Sequence, residues 1–92
     1  MAFTITFTPK NMSAAQYDRV IKGLETAGAA APSGRLFHTC YGPANALRVV
    51  DVWASMEQFE KFGATLMPLL AAEGIDIGTP DVQPQHNSLV GK

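Results

Sequence analysis

The segment 35–53 constrains the fold most, because it reads as a β-hairpin that is apolar on both faces. Arg35–Tyr41 and Ala46–Trp53 carry the β-branched and aromatic residues of strands, around a turn of Gly42, Pro43, Ala44 and Asn45. Alternation puts Leu36, Cys40, Leu47, Val49 and Trp53 on one face and Phe37, Tyr41, Val50 and Val52 on the other. A hairpin of this kind has to be covered twice.

The rest of the chain supplies one cover. Residues 2–8 alternate Phe3, Ile5 and Phe7 with Thr4, Thr6 and Thr8, a strand pattern that Pro9 ends. Ser13 with Gln16 forms a capping box for a helix that carries Tyr17, Val20, Ile21 and Leu24 inward and stops at Gly28. Ser55 with Gln58 repeats the box for a second helix, which buries Met56, Phe59, Phe62, Leu66 and Leu70 and stops at Gly74. Pro68 lacks the N–H that would bond Ala64, so a kink or break is expected there. Residues 82–90 read as a fourth strand, with Pro84 indicating an edge or a bulge.

The order βαββαβ is ferredoxin-like α+β: an antiparallel four-stranded sheet with both helices on one face. The 92 residues make a single domain, 1–92, with a core too modest to leave an apolar sheet in water. Burial of the second hairpin face against another copy predicts a homodimer.

Other partners are disfavoured by charge. The seven Lys and Arg residues are scattered and the net charge is −1, so neither nucleic acid nor a membrane surface is expected. No apolar run is long enough to span a bilayer, and Met1 leads straight into a strand without a signal core. The single cysteine, Cys40, forms no intrachain disulfide and suits a reducing cytoplasm; it reads as a small buried hydrophobe.

The strings VVDVWASMEQFEKF (49–62) and LMPLLAAEGI (66–75) resemble the dimeric α/β-barrel superfamily. Within it the chain is similar to small stand-alone antibiotic-biosynthesis-monooxygenase-like proteins. The resemblance implies two sheets paired into a barrel and a pocket between sheet and helices in each subunit. The activities it brings range over cofactor-free oxidation of aromatic polyketides, lactone isomerisation and haem degradation. Haem-degrading relatives carry an Asn in the first strand, a Trp nine residues after the strand-ending Trp, and a ligating His ten further on. Here those two positions hold Phe62 and Ala72, and the first strand has no Asn, so haem degradation is not expected.

Two histidines are the candidates for chemistry. If Tyr41 faces Ala46, His38 and Asp51 become diagonal neighbours on the Trp53 face, and an Asp that orients a His builds a general base. With no third group or nucleophile fixed by spacing, the pair reads first as His38 and Asp51 satisfying each other, or the dimer partner, in a tight interface. His86 is the second candidate, either catalytic or at a sheet edge. No ligand set has metal-site spacing, so no metal and no cofactor is expected. Tyr17, Trp53, Phe59, Phe62 and Met67 are expected to line the pocket, with Trp53 also structural, and Arg48 is placed to meet an acidic group or an anionic ligand. The function these residues point to is binding of an apolar or aromatic molecule, with cofactor-independent monooxygenase-like or isomerase-like chemistry. The alternative is a non-catalytic dimer whose pocket is filled by its own side chains.

Overall fold

A computed structural model describes residues 1–91. Its elements are β1 (Phe3–Phe7), α1 (Ala14–Thr26), β2 (Arg35–Tyr41), β3 (Arg48–Trp53), α2 (Met56–Ala72) and β4 (Asp81–Pro84). The four strands form one antiparallel sheet in the order β2-β3-β1-β4. This is the ferredoxin-like arrangement, with β3 filling the gap beside β1.

The helices begin and end as their sequences dictate. The Ser13 hydroxyl accepts from the Gln16 amide and the Gln16 side chain accepts from the Ser13 amide, completing the first box. The second box is only half formed. Ser55 accepts from the Gln58 amide, but Gln58 Oε1 meets the Ser55 hydroxyl rather than its backbone. After each helix a left-handed glycine, Gly28 or Gly74, turns the chain, and the next amide reaches back to Leu24 or Leu70.

Three expectations need correction. Of a kink or a break at Pro68, the break does not occur: α2 is helical through Pro68, and Pro68 and Ala64 both lie on the exposed side, where the freed carbonyl can meet water. The fourth strand is residues 81–84 rather than 82–90: its ladder against β1 ends with Pro84 opposite Phe3, at the start of that strand. Leu36 does not share the Trp53 face. A β-bulge between Arg35 and Phe37 places Arg35 opposite Trp53 and Phe37 opposite Val52, leaving Leu36 beside Phe37 on the open side.

The core lies between helices and sheet, with Ile5 and Trp53 fully enclosed and Phe7, Val20, Leu24, Val49, Phe62 and Leu70 around them. Trp53 packs edge-on against Phe59 at 5.5 Å and tilted against Phe62 at 5.3 Å. The helices approach closely at Gly23, where a Cβ would stand 2.9 Å from Leu69. Near the end of α2, Glu73 accepts from Arg19 through its carboxylate and from Gln16 through its carbonyl. On the other side of the sheet, Leu36 is 62% and Phe37 53% exposed. Among the described residues, no helix is long and apolar enough to cross a membrane.

Candidate functional site

β2 and β3 pair with His38 directly opposite Asp51, since Tyr41 faces Arg48 rather than Ala46. The shift is two residues, so the face is preserved and the expected diagonal pair becomes a direct one. His38 Nδ1 lies 2.6 Å from Asp51 Oδ1. The other carboxylate oxygen, Oδ2, accepts from the Trp53 indole N–H at 3.2 Å. On the far side of the imidazole, the Tyr17 hydroxyl lies 2.7 Å from His38 Nε2, with the two rings within 6° of parallel.

These four residues form one hydrogen-bonded chain from core to cavity. The carboxylate of Asp51 accepts and cannot donate, so it fixes the proton of a neutral imidazole on Nδ1. Nε2 is then an acceptor, and Tyr17 donates to it. Burial, and next the nearby Cys40, push the Tyr17 phenol up to about 12, so it keeps its proton. The Cys40 thiol is likewise pushed up by burial, which disfavours the nucleophilic thiolate.

Tyr17, His38 and Asp51 line a cavity between α1, α2 and the sheet, together with Arg35. The rest of its wall is apolar, including Phe7, Met12, Val20, Phe62, Leu66 and Leu70. Its volume is about 70 Å³, enough for a few water-sized molecules. A cavity that takes benzene has roughly twice that, about 150 Å³.

The structure thus brings together His38, Asp51, Tyr17 and Phe62. Trp53 and Phe59 stand behind the wall in the core rather than in it. Met67 is corrected: it is half exposed and lies outside the cavity, because Leu66 and Leu70 take the inward positions on that side of α2. His86 is exposed beyond β4, away from the cavity wall, and Arg48 is exposed on β3. Among the described residues no group of three or more His, Cys, Asp or Glu is placed to hold a metal ion. Two features carry no sequence signal. Tyr17 lies in the cavity wall as expected, but nothing in its helical spacing shows that its hydroxyl ends on His38. Arg35 reaches the cavity only because of the bulge, which alternation does not reveal.

The fold is the ferredoxin-like α+β fold that antibiotic biosynthesis monooxygenase-like proteins also have. Neither a protein-family model nor a curated protein sequence matches the chain significantly. Solved structures do. SnoaB, a cofactor-independent oxygenase from Streptomyces nogalater, is 19% identical and superposes with a TM-score of 0.63, covering 96% of this chain and 94% of its own. A Chloroflexus aurantiacus protein named as a candidate antibiotic biosynthesis monooxygenase is 16% identical, with a TM-score of 0.64 over 99% of this chain and 100% of its own. A Caulobacter crescentus protein of like description is 20% identical, with a TM-score of 0.58 over 89% and 85%. At these identities the likeness is one of fold.

Proposed function

We propose that the chain is a small-molecule-binding protein of the cofactor-independent oxygenase type, which takes an apolar ligand into the cavity and removes a proton from it. The observation that carries this reading is the Trp53–Asp51–His38–Tyr17 chain opening into an otherwise apolar cavity. Such a chain has a base at one end and exclusion of water around it. The ligand gives its proton to the Tyr17 oxygen as the Tyr17 proton passes to His38 Nε2, and Asp51 balances the imidazolium. Because Tyr17 keeps its proton at neutral pH, transfer through it leaves no free tyrosinate. The electron-rich anion left behind is the species that dioxygen could oxidise, or that could be reprotonated elsewhere as an isomer.

The second reading, a non-catalytic protein, draws on the cavity volume of about 70 Å³, which a ring compound exceeds unless side chains move. Both readings include a homodimer formed over the open sheet face, with Leu36, Phe37, Val50 and Val52 buried between copies.

Proton exchange separates the two. With 2-indanone in heavy water, the protein should accelerate exchange of the acidic C–H at least about a hundredfold, the range of a positioned base. His38→Ala should lose that acceleration, and Tyr17→Phe should lose most of it while remaining folded. Exchange no faster with the protein than with free imidazole supports the non-catalytic reading.

A further inference from the structure

We propose that Arg35 is an anion-binding residue of the cavity, and that the ligand bears one ionised oxygen on an otherwise apolar frame. The inference rests on the reading of the cavity as a ligand site and adds its charge preference.

Arg35 opens β2, and strict alternation would turn it to the open side of the sheet with Phe37. The bulge at Leu36 reverses this, setting Arg35 opposite Trp53 on the side that holds His38 and Asp51. The Arg35 side chain therefore joins the cavity wall through a local departure from regular pairing. Bulges recur where a side chain must be re-aimed.

The Arg35 guanidinium is sparsely bound by protein groups. Its hydrogen bond among the described residues is from Nη2 to the Ala30 carbonyl at 2.8 Å, which leaves most of its donors unused. No carboxylate lies within ion-pair distance of it among those residues. Asp51 shares the cavity, but its carboxylate is hydrogen-bonded to His38 and Trp53 and forms no ion pair with Arg35. Arg35 is nonetheless half-buried beside an apolar wall, and its charge is felt at the Tyr17 hydroxyl. A cation in such surroundings gains most from an anion that arrives with the ligand.

The position also suits the proton transfer. When the ligand's proton leaves toward Tyr17 and His38, the negative charge that remains on its oxygen is balanced by Arg35. A carboxylate already present on the ligand would be held in the same way. The recognised chemistry is the same in both cases: an anionic oxygen at Arg35 and an apolar body against Phe62, Leu66 and Leu70.

Benzoate and benzamide, nearly equal in shape and different in charge, test this by titration calorimetry. The wild type should bind benzoate at least tenfold more tightly than benzamide. Arg35→Gln should abolish that preference while leaving benzamide affinity within about twofold, which also reports that the cavity is intact. Arg35→Lys should retain part of the preference. Equal binding of both probes by the wild type, or a preference that survives Arg35→Gln, overturns the role of Arg35 and leaves the ligand site standing. In that outcome Arg35 is a tether for the loop at Ala30, and its loss shows only as lower stability. Failure of both probes to bind overturns the ligand site together with the inference.

Discussion

Asp51→Ala should lower the melting temperature by about 10–20 °C. Asp51 is 5% exposed, and its carboxylate satisfies the imidazole of His38 and the indole of Trp53 at once. Removing it strands both donors, one of them on a fully enclosed side chain of the core. Leaving the two donors without their acceptor costs about 2.5 kcal/mol in all, and a domain of this size loses roughly 4–8 °C per kcal/mol. His38→Ala should cost less, because the ring is partly open to solvent, its side chain keeping 23% of its accessible surface. The double variant should lose less than the sum of the two, since each single change already removes the shared contact. Scanning calorimetry of the four proteins gives the coupling. Additive losses would mean that the pair is not a unit, and the case for a positioned base would fall with it.

Phe37→Asp should turn a dimer into a monomer at micromolar concentration without unfolding it. Phe37 lies on the face that neither helix covers, beside Leu36, Val50 and Val52, and it is 53% exposed in one chain. A second copy seated there would bury these side chains in an interface that, to persist, covers on the order of 1,200 Å² or more. A carboxylate at its centre would meet its own symmetry mate in a desolvated setting, where like charges repel strongly. Light scattering should therefore give twice the chain mass for the wild type and a single chain mass for the variant, with unchanged far-ultraviolet circular dichroism. A monomeric wild type would leave the open face without its proposed cover.

Much of this was legible in the sequence because it rests on short-range patterns. The alternation of Phe3, Ile5 and Phe7 defines β1, and the inward row Tyr17, Val20, Ile21 and Leu24 defines α1. Ser13 and Gln16 mark where that helix starts. The pairing of His38 with Asp51 is legible from alternation alone, because a two-residue change of register keeps both side chains on the same face. What was not legible depends on neighbours remote in sequence. Leu36 and Arg35 exchange sides through a bulge that no residue type announces. Residues 85–90 carry strand-forming Leu89 and Val90, yet their ladder partner β1 extends no further than Phe3. Pro68 interrupts a helix on paper only, because whether its unpaired carbonyl matters is decided by which side of α2 faces water.

Trp53 has a consequence for how the molecule can be observed. It is the single tryptophan of the chain, it is fully enclosed, and its indole N–H is held by the carboxylate that also holds His38. The indole excited state is sensitive to the charge and hydrogen bonding of its surroundings. The intrinsic fluorescence of this protein is therefore the emission of one chromophore wired to the candidate site. Any event that moves the proton or the partner of Asp51 alters that emission without a label, from a position that no ligand need touch.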